Sequence, residues 1–370
     1  MKIGVRTLTY IALALFASLV RAGEIVVSEV STFSGSQAVT GKAMHAGAKL
    51  YLDHVNASGG VKGQRIKLVT RDDAGKPEET VGQVRASIAE DKPVAFLLTV
   101  GTANLQALAK DGALAKDRIA MFGPVSGATS IAQVPEFMTT KASYQDETAR
   151  LLKQLSGQGI KRVGVVFQDD GYGRDVLAGV EAAAAANGIE VAVKAPYERN
   201  TVKVEAAVSA MLKASPQVII LGAVSAPGSE FYKQFKAQGG SSSIYGVSVV
   251  DIQALMTRIG KDQARGFAFS QVMPSKRDLA IVREYEGMKA KAGPIEGMSA
   301  RSMEGFVAAK LLVQALRQAD RITPESVTNT VRQMRRVDLG DYVLDFTKPG
   351  RAASSFVDFA IIGEGGRIVQ

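Results

Sequence analysis

Two carboxylate pairs, Asp72-Asp73 and Asp169-Asp170, follow apolar runs of strand character, where acid–base or metal chemistry could be built. Adjacent residues of an extended strand point to opposite faces, so neither pair converges on one atom without a turn, and loop capping is the favoured expectation. The chain's two histidines, His45 and His54, fall on one helix, so any histidine-mediated triad would have to be drawn from that helix; packing or surface roles are expected instead. No G-x-S-x-G elbow occurs. The absence of cysteine excludes disulfides, iron–sulfur clusters, thiolate zinc sites and thiol nucleophiles.

Two glycine-rich turns come close to nucleotide motifs and miss. Gly35 to Ala43, GSQAVTGKA, has one residue too many between its glycines for a phosphate loop, and Ala43 stands where a magnesium-binding hydroxyl belongs. Gly171-Tyr172-Gly173-Arg174-Asp175-Val176 follows a strand and opens a helix, with Glu190 further on. Val176 replaces the third glycine of a dinucleotide fingerprint and Tyr172 crowds the turn, so a tight strand-to-helix turn is the simpler reading. Arg332, Arg335 and Arg336 read as a solvated basic face of one helix, without the aromatic or glycine-rich motifs of nucleic-acid binding.

Three other junctions offer more: Ser31 to Thr40, Gly101-Thr102-Ala103-Asn104, and Gly123-Pro124-Val125-Ser126-Gly127. Free N–H groups at a helix start, beside hydroxyls and small residues, suit a carboxylate or another anion. Simple N-capping by Ser and Thr explains any one of them equally well. Tyr144 and Tyr172 open helices of the following segment, where a ring could close over a solute; isolated tyrosines more often pack.

The elements that must position these groups are short apolar runs: Glu24 to Val30, Arg65 to Arg71, Val94 to Val100, Ile119 to Phe122, Arg162 to Gln168, Glu190 to Lys194, Val218 to Gly222 and Ile244 to Val247. Amphipathic stretches of helical length separate them, which argues for βαβ units with helices on both faces of parallel sheets. Pro77-Glu78-Glu79 and Thr323-Pro324-Glu325 are helix starts, the alanines Ala182 to Ala186 a helix interior stopped by Asn187-Gly188, and Gly239 to Ser243 a surface loop. One α/β set runs to about Thr140 and a second starts at about Tyr144. Two such open lobes in succession let the C-terminal ends of two sheets face one another across a cleft.

A length of 370 residues suits two domains, and 46% hydrophobic with 22% charged residues is ordinary globular composition. Lys2 and Arg6 precede the apolar run Leu8 to Val20, and Val20-Arg21-Ala22 offers small residues for cleavage, the pattern of a secretory signal peptide over residues 1–22. That run falls short of the about 20 residues that span a bilayer. Lys2, Arg6 and Arg21 contribute three of the 45 basic residues, so the net charge of +9 falls to a modest +6 without them.

Phe33 to Pro77 resembles the opening of branched-chain-amino-acid-type solute-binding proteins of ABC transporters (Leu/Ile/Val-binding-protein-like). The resemblance is carried by Phe33-Ser34-Gly35, by Asn56-Ala57-Ser58-Gly59-Gly60-Val61-Lys62-Gly63, by Asp72-Asp73 and by Pro77. Further matches are Gly101-Thr102, Gly123 to Ala128, Asp169-Asp170-Gly171-Tyr172-Gly173 and Met303-Glu304-Gly305-Phe306. It extends over essentially all of 24–370. The family implies an α/β fold of two Rossmann-like parallel-sheet lobes joined by three hinge crossovers, the type I periplasmic binding protein. Lobe one would be 24–141 plus 272–345, and lobe two 142–271 plus 346–370. Thr102, Ala103, Ser126 and Gly127 would hold a ligand carboxylate, with Tyr144 and Tyr172 covering it from lobe two. Ser225 and Ser248 fall at cleft-facing strand ends. Amino-acid binders of the family place an acid near Ser248 to meet the ligand's ammonium; here Asp251, three residues away, is the nearest acid in sequence, so the ligand is expected to be an organic or aromatic acid, or an amino acid, with the missing acid leaving room for a ligand without the amine. Arg301 is a candidate second positive charge.

The resulting expectation is a monomeric, non-enzymatic solute-binding protein of the periplasm, exported by a cleaved signal peptide. It would need no cofactor, bind no nucleic acid, and deliver a small carboxylate-bearing ligand to an ABC permease in the inner membrane. A dinucleotide-dependent exported enzyme and a ligand-sensing module of the same fold are the alternatives. Tyr172→Ala is expected to weaken binding while sparing the fold.

Overall fold

The computed structural model describes residues 23–370, so the signal-peptide expectation for residues 1–22 lies outside the described residues. The first sheet is built from β1 (Ile25–Ser31), β2 (Ile66–Asp72), β3 (Ala95–Leu97), β4 (Met121–Phe122) and β5 (Phe137–Met138), all parallel, in the order β2-β1-β3-β4-β5. The second takes β6 (Arg162–Gln168), β7 (Glu190–Tyr197), β8 (Val218–Gly222), β9 (Ser243–Gly246) and β10 (Ala268–Gln271) as its parallel body. β11 (Arg336–Asp338) and β12 (Val343–Asp345) form a separate hairpin. β13 (Asp358–Ile362) and β14 (Ile368–Val369) then complete the second sheet, antiparallel, in the order β14-β13-β10-β9-β8-β6-β7. The fully buried VIILG of β8 lies mid-sheet, covered on both faces, as a continuous apolar run requires.

Helices cover both sheets. In chain order they are α1 (Ala38–Ala57), α2 (Pro77–Glu90), α3 (Thr102–Asp111), α4 (Ala113–Asp117), α5 (Thr129–Ala132), α6 (Tyr144–Gly157), α7 (Gly171–Asn187), α8 (Glu205–Ala214), α9 (Ser225–Ala237), α10 (Ile252–Ile259), α11 (Ala280–Ala292), α12 (Ser302–Gln318) and α13 (Pro324–Gln333). Local chemistry fixes several ends. Ser143 and Asp146 form a capping box at α6, Asp170 caps α7, and the Thr323 side chain accepts from Ser326 N at the start of α13. Gly188, at φ 64°, closes α7 after its alanine run. α1 and α12 cross so closely that a Cβ on Gly47 would lie 1.7 Å from the Ser302 carbonyl oxygen, and one on Gly305 1.9 Å from that of Met44. One expectation is corrected: α13 ends at Gln333 and Arg336 opens β11, so the three arginines share no helix face, and Arg332 pairs with Glu136 at 3.1 Å.

The chain passes between the sheets three times, after β5, after β10 and after β12. These crossovers pack on one another: Ala142, Val272 and Val357 form a small buried cluster, and Tyr342 Oη donates to Thr140 O at 2.7 Å and to Val272 O at 3.3 Å. The packed crossovers form the floor of the cleft.

Candidate functional site between the lobes

From the first sheet, the turn after β3 puts Gly101 at φ 105° and starts α3 at Thr102, which is 4% exposed. Thr102 Oγ1 lies 2.8 Å from Ser126 Oγ, which accepts from Ala128 N at 3.1 Å. Gly127 O accepts from Tyr144 N at 2.8 Å, joining this wall to α6. From the second sheet, the Tyr144 and Tyr172 rings meet edge to face with centroids 5.1 Å apart. Tyr172 Oη donates to Ala223 O at 3.3 Å, and burial holds both phenol pKa values above the ordinary range, so both stay neutral. Asp170 Oδ1 accepts from the backbone N–H groups of Tyr172 and Gly173, at 3.0 and 3.2 Å. Those donors, which a dinucleotide pyrophosphate would require, are therefore engaged.

The cleft is shut by direct bonds. Arg199, on the loop after β7, donates to Gly75 O at 3.0 Å and to Asn104 Oδ1 at 3.2 Å across the gap, and pairs with Asp170 at 3.4 Å. Asp175 Oδ1 accepts from Thr129 N at 3.1 Å. Enclosed between the lobes is a cavity of about 30 Å3, lined by Gln37, Thr102, Lys141, Tyr172, Arg199 and Arg301 among others.

Its floor carries an unusual charge arrangement. Lys141, on the first crossover, is 3% exposed; its Nζ sits 3.4 Å from Glu304 and 5.8 Å from the Tyr144 ring centroid, with no hydrogen-bond partner among the described residues. Arg301, immediately before α12, pairs with the other oxygen of Glu304 at 2.9 Å and donates to Val249 O at 2.8 Å, while its Nε has no partner among the described residues. Burial opposes its charge, yet Glu304, Asp251 and Tyr144 hold its pKa above the ordinary value. Two buried cations thus share one carboxylate and keep spare donors.

The neighbouring acids are all engaged. Glu147 of α6, 1% exposed, accepts from Ser248 N and Oγ, each at 2.8 Å, and from Ser270 Oγ. Burial pushes its carboxyl pKa up, against the opposing pull of Lys141 and the two serines. Asp251 caps α10 through Ala254 N at 2.9 Å and accepts from Ser299 Oγ at 3.0 Å. Among the described residues no cluster of three His, Asp or Glu is placed to hold a metal ion.

A family model described as periplasmic binding protein matches residues 24–366. The chain belongs to this family. It is 24% identical over 339 residues to Leu/Ile/Val-binding protein homolog 8 of Brucella suis biovar 1, an alignment spanning 88% of this chain and 84% of that protein. A substrate-binding periplasmic protein from Ralstonia solanacearum superposes with a TM-score of 0.89 at 39% identity, covering 94% of this chain and 100% of the other. A possible leucine/isoleucine/valine-binding protein from Rhodopirellula baltica SH 1 follows at 0.88 and 26%, covering 96% and 98%. The chain is thus a periplasmic binding protein of the branched-chain-amino-acid type, with two α/β lobes.

Of the residues singled out in the sequence, Thr102, Ala103, Tyr144, Tyr172 and Arg301 line this one cavity. Ser126 and Gly127 stand behind it, bonded to Thr102 and Tyr144. Ser225 and Ser248 are outside its lining: Ser225 Oγ accepts from Asp251 N at 2.8 Å, and Ser248 is clasped by Glu147. Tyr172→Ala also loses its value as a clean probe, since Tyr172 is 4% exposed and truncating a buried aromatic costs about 3–5 kcal/mol of stability. Lys141, Arg199 and Glu147 were not anticipated; Asp170, for which capping was the favoured expectation, caps α7, and Glu304 was named only as part of a family match. Lys141 could have been noticed as a lone base inside Thr139-Thr140-Lys141-Ala142-Ser143, at the very point where the first lobe hands over to the second.

Proposed function

We propose that this periplasmic binding protein closes its lobes on a small carboxylate-bearing solute lacking an α-amine and presents it to the permease of an ABC importer. The observation that carries this reading is the pairing of two buried, under-coordinated cations, Lys141 and Arg301, with the N-terminus of α3. An incoming carboxylate supplies the acceptors these groups lack. The acids around the two cations are engaged: Glu147 by two serines, Asp170 by the α7 cap and Arg199, Asp251 by the α10 cap, and Glu304 by Arg301; Asp175, at the contact with Thr129 between the lobes, keeps one oxygen without a partner among the described residues. Binding energy here shifts an open–closed equilibrium.

The relatives called Leu/Ile/Val-binding favour a second reading, an aliphatic amino acid as ligand. A thermal-shift series with acetate, octanoate, leucine, isoleucine, valine and NAD separates the two. A ligand that binds the native state raises the melting temperature by mass action. A shift with the amine-free acids and none with the amino acids is expected. Shifts with amino acids alone overturn the ligand class, and a shift with NAD alone overturns the transport reading.

A further inference from the structure

Resting on that reading, we propose that the site has two parts. The ligand's carboxylate meets Lys141 and Arg301, while an apolar body of several carbons occupies the larger pocket on the far side of Arg301. That pocket encloses about 790 Å3, inside the roughly 300–1,000 Å3 of small-molecule sites, whereas the cavity beside Thr102 holds about 30 Å3. Arg301 lines both spaces, so its side chain and the Val249-Val250 backbone are the partition between them. One part of its hold is exchangeable: while one nitrogen keeps its pair with Glu304 at 2.9 Å, another bonds only a backbone carbonyl, Val249 O, and Nε has no partner among the described residues. A ligand carboxylate takes the place of the Val249 carbonyl as acceptor and lies within the reach of the second orphaned cation.

The lining of the larger pocket fits an apolar body. Phe269, Met273, Ile295, Met298 and Met303 contribute hydrophobic surface, and methionines adapt to irregular shapes. Its charged groups are Glu286, Lys289, Arg301 and Glu304, the last two at the Lys141 end and paired with each other. Ser275, Gly293 and Ala300 are exposed lining residues, which leaves a route in from solvent. One wall is the irregular segment 293–301, between α11 and α12, which can adjust without breaking a helix. The ligand class is therefore an amphiphilic monocarboxylate, such as a medium-chain or arylalkyl acid.

Titration calorimetry on the intact protein with acetate, octanoate and leucine, repeated on Met298→Asp and Met298→Leu, tests this. Each buried methylene strengthens binding about fourfold, so octanoate should bind at least about tenfold more tightly than acetate. Met298→Asp should abolish that advantage, and Met298→Leu should keep it. Octanoate and acetate of equal affinity, or an octanoate advantage that survives Met298→Asp, overturn the two-part site while leaving a carboxylate binder. Binding of leucine without either acid overturns both this inference and the ligand class it rests on.

Discussion

Replacing Lys141 by Met separates a ligand-binding cation from a structural one, because the two roles predict opposite signs. Met has a chain of similar length and no charge. Lys141 Nζ has no hydrogen bond among the described residues, and its one ion pair, at 3.4 Å, is to Glu304, which keeps Arg301 at 2.9 Å. Removing an ammonium that is 97% buried and poorly compensated should therefore be neutral or slightly stabilising, because Glu304 keeps Arg301 and no carboxylate is left unpaired; the gain stays below the about 1–4 kcal/mol seen when whole buried ion pairs are replaced by apolar groups. Binding should move the other way. A hydrogen bond to a charged group is worth about 1.5–3 kcal/mol, and about 1.4 kcal/mol is tenfold in affinity, so octanoate should bind about 10- to 150-fold more weakly. Urea denaturation of the unliganded protein and calorimetric titration with octanoate give the two numbers on the same preparation. The reasoning is refuted if Lys141→Met lowers stability by the about 3–5 kcal/mol typical of a broken buried pair and leaves octanoate affinity unchanged. Lys141 would then be a counter-charge for Glu147 and Glu304, present for the fold alone.

Two further outcomes are expected. Burial raises the Glu147 carboxyl above its ordinary 4.5, so its contribution to stability is greatest below that pH and is lost as pH rises through the raised value. Glu147→Gln, whose amide can still bond both serines, should be more stable than the wild type in urea at pH 8, with the gap closing below about pH 4.5; a pH-independent gap contradicts this. Arg199 makes two of the contacts that hold the cleft shut, so Arg199→Ala should raise the radius of gyration of the unliganded protein in small-angle scattering while moving the melting temperature by only a few degrees. Unchanged scattering would mean that the closed arrangement does not depend on this bridge.

Burial and capping explain which parts of the fold were legible from the chain alone. β6 and β8 are recovered to the residue, because a short apolar run between turn signals reads the same alone as in a sheet, and α2 and α13 begin at the prolines that announce them. β13 and β14 were not foreseen: they are short, lie at the sheet's far edge, and exist only because β10 presents an unpaired side to a segment some ninety residues later in the chain. The site divides along the same line. Thr102 and Tyr172 are marked by their own strand-to-helix turns, whereas the charged floor is assembled from far-apart pieces. An acid beside Ser248 was sought within a few residues of it, at Asp251. It arrives instead as Glu147, from a helix 101 residues earlier, and arrives already satisfied. Proximity in sequence could suggest only that a ligand ammonium lacked a partner. The assembled floor supplies the physical basis of the proposed reading: Glu147 and Asp251 are taken up by serines and a cap, Glu304 by Arg301, and the cations beside them keep spare donors, a condition that would favour a negatively charged ligand.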